Sequence, residues 1–500
     1  MAGNDNAREI SRRQFTATLG AVAGLTAGAN LLTPTEVSAA PHINPRIIGA
    51  NDRVVVASIG VRGQGNSVKR GFAKLANVEI KTLCDVDENV GRMRLEDKSL
   101  ADVASYKPGY EQDLRKVFGD KDVDAVIIAT PNHWHALATI WGLQAGKHVY
   151  VEKPASHTVV EGRRMVQAQA RYKKIVQVGT MNRSRPAVIK AIDFIKSGGI
   201  GKVYMGRGLC FKPRPGIGKY PDGPMQPGEQ YKLNEATTTI EPAYDAAYLA
   251  KVDYDLWLGP APLKPFNRNR FHYNWHWHWD FGNGDTGNQG PHQFDIARWG
   301  LGKQEHPVKI KSSGGYFGPA ASQETPDLQT TSYEYADGVI MEFATRGQAT
   351  NAEGPVEIGN IFYGSEGYLW IDADGRQWQS FLGRKMEKGP GWDAATAGAT
   401  GSDPRVLTSI EYPHYQNFID AIRADDPKLL TCNVLEGHLS SALPHLANIS
   451  YRVGRALTFD PKNETIVGDK DASALLTRTY RKGFELPSIS GGAGTSNNNG

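Results

Sequence analysis

Short apolar runs that alternate with helical patterns are the feature of this sequence that most restricts its fold. From Asn51 onward, four such runs occur in "RVVVASIG", "VEIKTLCDVDE", "VDAVIIATP" and "KHVYVEKP", separated by segments with helical spacing. Continuous β-branched and aliphatic runs are typical of parallel strands buried on both faces. Strands joined by helices of this length form right-handed crossovers. The sequence therefore predicts an α/β fold whose first domain, residues 51–180, is a doubly wound parallel sheet of the Rossmann type.

The sequence changes character after residue 180. Residues 212–283 are rich in proline, glycine and aromatic side chains, and strand patterns joined by short turns follow them. The turns contain the hairpin-favouring dipeptides Asp337-Gly338, Glu366-Gly367 and Asp374-Gly375. Helical patterns return near the end of this region. We therefore predict a second, α+β domain, residues 181–485, with a large open and mainly antiparallel sheet, followed by a low-complexity, disordered tail, residues 486–500.

Length, charge and cysteine usage limit the organisation and partners of the chain. Its 500 residues exceed one ordinary core, which favours two domains. The formal net charge is only +4 and no lysine- and arginine-rich block occurs, which argues against a nucleic-acid partner. No segment in the body of the chain is apolar enough to be a stable membrane span. The cysteines Cys84, Cys210 and Cys432 are too far apart in sequence to suggest a disulfide framework.

Residues 1–39 resemble a twin-arginine signal peptide. Arg12 and Arg13 precede Phe15 and an uncharged stretch, and "VSAA" supplies small residues for cleavage after Ala39. An N-terminal anchor that is not cleaved is the alternative. Twin-arginine export moves folded proteins, so the resemblance implies the twin-arginine export machinery as a partner. We expect a periplasmic or extracellular protein that acquires any cytoplasmic cofactor before export.

A glycine-rich turn directly follows the first predicted strand. Glycines there let the backbone approach a pyrophosphate, and the next helix supplies N–H donors at its N-terminus. The spacing G-x-x-G-x-G departs from the dinucleotide fingerprint, so the motif alone is weak. Asp85 ends the second strand, where a carboxylate accepts hydrogen bonds from an adenosine ribose and repels a 2′-phosphate. We predict a NAD site, with NADP disfavoured, formed by Asp85 and by Gly60, Val61, Arg62, Gly63, Gln64 and Gly65.

A lysine, Lys153, lies at the end of the fourth apolar run, between Glu152 and Pro154. The carboxyl end of a parallel strand faces the crevice where open α/β sheets bind ligands. Pro154 fixes the chain direction at this point. Composition alone leaves an ordinary surface lysine as the alternative.

These motifs together resemble the Gfo/Idh/MocA oxidoreductases. The glycine turn, "CDVD", "IIATPNHWH", "EKP", "VGTMNRSRP" and "GPHQFDIARW" occur in the order and spacing of that family, between Arg53 and the region of Lys482. The resemblance implies a Rossmann domain that holds a nicotinamide cofactor tightly. It also implies a second domain whose open sheet forms the substrate wall and commonly an oligomer interface, so we expect a homo-oligomer, a dimer or tetramer. Family members mostly act on a hydroxyl carbon of sugars and polyols.

The resemblance also assigns roles to individual residues. Lys153 matches the catalytic lysine that hydrogen-bonds the reacting oxygen, where a cation stabilises developing alkoxide. Arg183 matches a position near cofactor and substrate. The remaining positions belong to the cofactor site, and they are Thr130, Pro131, Asn132, His135 and Glu152.

His292 in "GPHQFD" matches the histidine of the Asp-x-x-x-His pair that exchanges the hydroxyl proton in the family. Asn288 stands where the partner aspartate is expected. An amide orients an imidazole but stabilises imidazolium less than a carboxylate does. Asp285 therefore either replaces that aspartate or binds a sugar hydroxyl. We predict that His292 is the general acid/base and place Asp285 and Asn288 with it in the catalytic set; a buried core histidine is the alternative.

The segment "FHYNWHWHWD" alternates aromatic rings with histidines. His272, His276 and His278 raise the question of a metal site, but no fixed carboxylate or cysteine accompanies them. No metal is therefore expected. Aromatic rings also stack against sugar rings, so the sequence predicts a substrate wall formed by Trp275, His276, His278 and Trp279, with plain packing as the alternative.

Three functions compete at this point. The favoured one is an exported NAD-dependent oxidoreductase whose substrate is a small-molecule carbohydrate or polyol. The second is a NAD-dependent glycoside hydrolase or lyase that oxidises a sugar carbon transiently and eliminates the glycosidic bond. The third is a noncatalytic sugar-binding protein. The Glu152-Lys153-Pro154 motif favours the dehydrogenase, and the joint presence of Lys153, His292 and Asp85 disfavours the noncatalytic protein.

Overall fold

The fold was analysed in a computed structural model, which describes residues 53–97, 107–234, 236–372, 375–393 and 412–489. The predicted signal peptide, residues 1–39, lies outside these ranges, as do Asp374 and nearly all of the predicted tail. None of the helices in the described part is long and apolar enough to span a bilayer. The three cysteines are free and buried.

The first sheet has six parallel strands in the order β3-β2-β1-β4-β5-β6, as the alternation of strands and helices predicts. Its strands are β1 (Val54–Ile59), β2 (Val78–Cys84), β3 (Gly109–Glu111), β4 (Ala125–Ile128), β5 (His148–Val151) and β6 (Val176–Val178). The helices between and beside them are α1 (Gln64–Ala73), α2 (Glu88–Leu95), α3 (Leu114–Gly119), α4 (Asn132–Gln144) and α5 (Val159–Tyr172). Thr158 is the N-cap of helix α5, and its side chain accepts a hydrogen bond from the backbone N–H of Glu161.

The second sheet has ten strands and is the predicted open sheet. Its order is β16-β15-β14-β13-β7-β12-β11-β10-β17-β18. The strands are β7 (Val203–Cys210), β10 (Lys309–Gly315), β11 (Leu328–Glu334), β12 (Ile340–Arg346), β13 (Ile358–Gly364), β14 (Gly367–Asp372), β15 (Gln377–Leu382), β16 (Glu387–Asp393), β17 (Leu457–Asp460) and β18 (Thr465–Ile466). Strands β7 and β12 pair in parallel and the other pairs are antiparallel, so the sheet is mixed.

Helices cover one face of the ten-stranded sheet. They are α6 (Pro186–Lys196), α9 (Gly284–Asn288), α10 (Gly290–Gly300), α12 (Val434–Val453) and α13 (Lys470–Ala474). Helix α11 (Tyr412–Ala424) instead packs against α1 and the core of the first domain. Helix α12 contacts α5, α10 and β10, so it packs between the two sheets. Its buried residues include Ala442, Leu443 and Leu446, which join one apolar cluster with Phe294 of α10 and Phe343 of β12.

The proline- and aromatic-rich segment, residues 212–283, is not featureless. It contains the two-stranded sheet of β8 (Tyr231–Lys232) and β9 (Ile240–Glu241) and the short helices α7 (Ala246–Leu249) and α8 (Tyr254–Leu258). A 3-10 turn, Asn274–Trp277, follows; elsewhere in the described ranges Met181–Ser184 and Pro427–Leu429 are 3-10 turns. Its aromatic rings form a core of their own around Tyr244, Trp257 and Phe271.

Candidate functional site

A cavity of about 460 Å³ lies at the carboxyl ends of the parallel strands, which is where a doubly wound sheet binds its ligands. Residues from the second domain form its other wall. The predicted residues that line it are Gly60, Arg62, Gly63, Gln64, Asp85, Thr130, Pro131, Asn132, His135, Glu152, Lys153, Trp275, His276, Asn288 and His292. Residues far apart in the sequence and assigned to cofactor and catalysis thus share one cavity.

The glycine turn has the geometry of a cradle for a dinucleotide. Gly60 has a φ of +80°, and a Cβ built on Gly65 would lie 1.7 Å from the carbonyl oxygen of Gly60, so the turn requires glycine at both positions. A Cβ built on Gly63 would meet no atom within 4 Å. Helix α1 starts at Gln64, and no side chain in the described part caps its N-terminus. The open space beside Gly63 and the uncapped N–H groups fit a pyrophosphate.

Asp85 lines the cavity, and its carboxylate is already engaged. Its Oδ2 accepts a hydrogen bond from the backbone N–H of Val61 at 2.9 Å, and its Oδ1 accepts one from Asp87 at 3.1 Å. Burial raises the pKa of Asp85 to about 6. Asp85 therefore fixes the glycine turn in addition to the predicted ribose contact, while Val61 contributes through its backbone and is outside the cavity lining.

The residues beside Asp85 form a network that sequence reasoning missed. His272 Nε2 lies 2.7 Å from Asp87 Oδ2, and the Tyr248 hydroxyl donates to the same oxygen at 2.6 Å. Arg62 donates to Glu241 at 2.5 Å. These contacts dock residues 241–272 on the first domain. His272 also lines the cavity, but it is paired with a carboxylate of the Rossmann domain and forms no metal-ligand group with His276 and His278 among the described residues.

Thr130, Pro131 and the first turn of α4, up to His135, contact both domains beside the cavity. His135 places Nδ1 2.7 Å from the carbonyl oxygen of Pro154 and Nε2 2.8 Å from that of Thr130. Burial lowers the pKa of His135 to about 4, so the ring is neutral at physiological pH. Asn132 donates to Asn283 of the second domain at 3.2 Å. The contact of His135 with Pro154 thus positions the segment that carries Lys153. The peptide bond between Lys153 and Pro154 is cis.

Lys153 projects into the cavity from the end of β5. Its Nζ donates to the backbone oxygen of Asn288 at 3.1 Å and lies 3.4 Å from the side-chain oxygen of the same residue. Burial lowers the pKa of Lys153, Glu152 acts in the opposite direction, and the charges of Arg214 and Lys212 lower it further. Asn288 therefore holds the ammonium group of Lys153.

His292 reaches the same cavity from the first turn of α10. It is 7% exposed, and its Nδ1 is buried without a hydrogen-bond partner among the described residues. Burial, followed by the charge of Lys153, lowers the pKa of His292 well below its ordinary range. The imidazole is therefore neutral at physiological pH and available as a proton acceptor.

Asp285 has a different partner from the one considered in the sequence. Arg214 contacts both of its carboxylate oxygens, Nε at 3.1 and 2.9 Å and a terminal nitrogen at 2.6 Å. Asp285 is buried and is not part of the cavity lining. Of the two roles considered for Asp285, the structure thus shows neither a contact with His292 nor an open position in the cavity among the described residues; its carboxylate pairs with Arg214.

The predicted aromatic wall is only partly present in the cavity. Trp275 and His276 line it, with ring centroids 3.6 Å apart. His278 instead lies 3.0 Å from the carbonyl oxygen of Asn269, and Trp279 packs against Arg452. Neither lines the cavity, because Trp275 and His276 belong to the 3-10 turn Asn274–Trp277 and the chain becomes extended at His278.

Arg183 also lies outside the cavity. It donates to both oxygens of Asp295, at 2.8 and 2.9 Å, and to Glu436 at 2.8 Å. Burial acts to lower the pKa of Arg183, but the charges and hydrogen bonds of its partners, Asp295 first among them, together raise it. The predicted substrate contact is replaced by a buried ion-pair network that joins the 3-10 turn Met181–Ser184, α10 and α12.

Two cations of the cavity, Lys212 and Arg214, were absent from the predicted set. The sequence signal that identifies them is "FKPRPG", directly after β7. Prolines at alternate positions keep a chain extended, and extended residues two apart project to one side. Tyr273, Gln289 and Trp257 are further lining residues that no local pattern marks.

One group of possible metal ligands occurs in the described ranges, away from the predicted histidines. His306, His438 and Glu464 place ligand atoms within 4.8 Å of one another. The same Glu464 oxygen accepts from both histidines at 2.8 Å and forms an ion pair with Arg163. The carboxylate is thus satisfied by three donors of the protein.

Comparisons with known proteins agree with this architecture. The NAD-binding Rossmann fold of the Gfo/Idh/MocA oxidoreductase family matches residues 56–180, and the C-terminal alpha/beta domain of that family matches residues 236–367 and 406–486. A levoglucosan dehydrogenase in complex with NADH superposes with a TM-score of 0.58 at 18% identity, covering 81% of this chain and 98% of the other. An aldose-aldose oxidoreductase from Caulobacter crescentus, complexed with glycerol, gives a TM-score of 0.56 at 15% identity, covering 81% and 100%.

Curated relatives carry glycosidase names. A glycosyl hydrolase family 109 protein of Shewanella pealeana is 31% identical over 208 residues, which are 40% of this chain and 45% of the relative. An alpha-N-acetylgalactosaminidase of Shewanella oneidensis is 28% identical over 207 residues, 39% of this chain and 45% of the relative. The chain thus spans about half the length of the curated relatives it matches.

Proposed function

The chain belongs to the Gfo/Idh/MocA oxidoreductase family, and from this premise we propose that it is a NAD-dependent oxidoreductase acting on a hydroxyl carbon of a sugar, sugar derivative or polyol. The observation that carries the proposal is the position of Lys153 and His292 in one cavity with the glycine turn. A proton donor and a proton acceptor beside a dinucleotide cradle are what oxidation of an alcohol requires.

The two side chains divide the acid–base work. Lys153 donates a hydrogen bond to the substrate oxygen and stabilises the negative charge that develops on it. His292, neutral because of its lowered pKa, accepts the hydroxyl proton. Bound NAD supplies the hydride acceptor. Asn288 keeps the ammonium group of Lys153 in place through its two oxygens.

NAD rather than NADP is the cofactor we propose. Asp85 lies at the end of β2 in the cavity, and Asp87 is buried beside it. The one arginine of the glycine turn, Arg62, is neutralised by Glu241. Acidic groups at this end repel a 2′-phosphate.

The second candidate is a NAD-dependent glycoside hydrolase or lyase. The glycosidase names of the Shewanella relatives favour it. In this chemistry a sugar carbon is oxidised transiently, the neighbouring C–H becomes acidic, and the glycosidic bond is eliminated, with no net change in the redox state of the cofactor. The same Lys153 and His292 would serve the oxidation step.

One experiment separates the candidates. The purified protein is denatured to measure bound nicotinamide, and the native protein is incubated with sugars, polyols and aryl glycosides without added cofactor. We expect a stoichiometric rise of the reduced-nicotinamide absorbance, lost in the variant His292→Ala. Catalytic release of aglycone supports the hydrolase instead, and a protein with neither bound cofactor nor turnover contradicts both enzymatic functions.

We further propose a homo-oligomer, a dimer or tetramer, that works in the periplasm or outside the cell. The face of the ten-stranded sheet opposite α10 carries the partly exposed rings of Tyr363, Tyr368 and Trp370. Apolar surface of this kind favours association. Light scattering of the purified protein measures the oligomeric state, and a monomer at micromolar concentration contradicts it.

A further inference from the structure

The segment that follows β7 delivers two cations to the substrate end of the cavity. Lys212 and Arg214 both line it, and each is followed by a proline, Pro213 and Pro215. The backbone N–H of Arg214 donates to the carbonyl oxygen of Gly347 at 2.7 Å, which ties the segment to the loop after β12. The two side chains are therefore presented by a stiff stretch of chain.

Arg214 is fixed in its orientation. Asp285 holds its guanidinium group through two nitrogens, and the ring of Trp277 lies 5.2 Å from its central carbon. Burial acts to lower the pKa of Arg214, but Asp285 outweighs it, so the pKa is raised and the group stays charged. A guanidinium ion held in this way keeps donors free for a further acceptor, since it has five N–H groups.

Lys212 has no such counter-ion. Its side chain is exposed to the cavity and forms no ion pair or hydrogen bond within the described ranges. Lys153 lies near enough for the charges of Lys212 and Arg214 to act on it. Three cations, Lys153, Lys212 and Arg214, therefore lie near two carboxylates. Asp285 is paired with Arg214, and Glu152 is buried beside the backbone of Lys153. Lys212 is therefore left without a counter-ion among the residues that the structure describes.

The phosphates of the cofactor do not explain this charge. Their cradle is the glycine turn at the end of β1, on the Rossmann domain, where Arg62 and Arg94 are nearby cations. Lys212 and Arg214 belong to the second domain, and Arg214 contacts, through Asp285, the helix that carries Asn288. Because Asn288 holds Lys153, this end is where the reacting hydroxyl group lies.

We propose that Lys212 and Arg214 form an anion subsite that binds a negatively charged substituent of the substrate, and that the enzyme acts on anionic sugars. The substituent is a carboxylate, as in uronic and aldonic acids, or a phosphate ester. This inference rests on the proposed oxidation of a sugar hydroxyl by Lys153 and His292. Arg214 supplies directed donors for the anion, and Lys212 supplies the free charge.

The test compares anionic sugars with their neutral parents in single-turnover reduction of the NAD bound to the full-length protein. The probes are hexuronates, hexose phosphates and the corresponding hexoses. For one anionic class we expect a half-saturating concentration about tenfold lower than for the neutral hexoses, the gain of one charge-assisted hydrogen bond. Whether the hexuronate or the hexose phosphate shows this preference identifies the anion.

The variant Lys212→Met should raise the half-saturating concentration of the anionic sugar by about tenfold and leave that of the neutral hexose within about twofold, because the charge acts on binding of the anion. Lys212→Arg should restore tight binding. The matched control is Lys219→Met, an exposed lysine of the same segment outside the cavity lining. This pattern distinguishes a binding contact from a general structural effect.

Two results overturn the inference in different ways. If neutral and anionic sugars reduce the cofactor with equal half-saturation, and Lys212→Met changes neither, the anion subsite is wrong while the proposed oxidoreductase stands. If neither neutral nor anionic sugars reduce the bound cofactor, the proposed oxidoreductase function is wrong, and the proposed substrate class is wrong as well.

Discussion

Lys153 and His292 approach the same cavity from different domains, and each has a pKa that burial lowers. For Lys153 the ordinary pKa is 10.5, and the folded protein releases the proton at a lower pH. Since the proposed role requires the protonated amine, activity should be present below this lowered pKa and be lost as the pH rises through it. The apparent pKa of the alkaline limb in the pH profile of kcat/KM should therefore lie below 10.5, the ordinary lysine value.

The variant Lys153→Arg tests this assignment. Arginine stays protonated across the accessible pH range, so the alkaline limb should disappear even though the rate falls. Lys153→Met, which removes the donor, should lower kcat by about 10²- to 10³-fold. The measurement is a pH profile of kcat/KM with the substrate found above, and Lys219→Arg serves as the control. An unchanged alkaline limb in Lys153→Arg would assign it to another group.

Arg183 illustrates a residue whose role the fold changed. Of its two carboxylate partners Asp295 is fully buried and Glu436 is partly buried, so Arg183→Met leaves uncompensated negative charge in the interior. We expect a loss of about 3–5 kcal/mol in the free energy of unfolding, with KM unchanged because the side chain lies outside the cavity. Chemical denaturation measures the free energy of unfolding, and steady-state kinetics measures KM. The control variant Arg171→Met changes an exposed arginine, and its free energy of unfolding should stay within about 0.5 kcal/mol of the wild type. A raised KM in Arg183→Met would instead support the predicted contact of Arg183 with substrate.

At the scale of the element, the turn before α1 needs glycine at two positions for different reasons. One position has no room for a side chain, and the other leaves open space for the pyrophosphate. Gly65 is needed because a Cβ would overlap the carbonyl oxygen of Gly60, whereas the space beside Gly63 is empty. Gly65→Ala should therefore disrupt the turn and destabilise the first domain. Gly63→Ala should fold normally and bind NAD more weakly, because its methyl group occupies the space that fits the pyrophosphate.

Cofactor content after denaturation, together with NAD titration of the cofactor-free protein, tests this difference. Gly119→Ala adds the same methyl group at another position where no atom lies within 4 Å, outside the cavity lining, and should leave NAD binding unchanged. Equal NAD affinity of Gly63→Ala and the wild type would place the pyrophosphate elsewhere.

At the scale of the whole molecule, the proposed route of export requires a folded, cofactor-loaded chain. Arg12 and Arg13 lie outside the described residues, and the double variant Arg12→Lys/Arg13→Lys should retain the protein in the cytoplasm because the twin-arginine machinery reads that pair. Cell fractionation with immunodetection measures the distribution. Arg8→Lys, just upstream, is the matched control, and undiminished export of the double variant would contradict this route.

The sequence by itself determined the local elements and the classes of chemistry. Continuous apolar runs define the parallel strands, Asp337-Gly338 and Glu366-Gly367 lie at hairpin turns, and the glycine turn follows β1, because these signals depend on neighbouring residues. The positions of Lys153 and His292 also follow from local motifs. The parallel pairing of β7 with β12 does not, since partners in a sheet are chosen across the chain.

Only the tertiary structure decided which charge meets which. Asp285 pairs with Arg214, 71 positions away, and Arg183 with Asp295, 112 positions away. No local pattern contains these distances, because ion pairs form where the fold brings side chains together and burial makes a partner necessary. The fold therefore places Asp285 and Arg183 outside the cavity and Lys212 and Arg214 in its lining, and the proposed anion subsite rests on these last two residues.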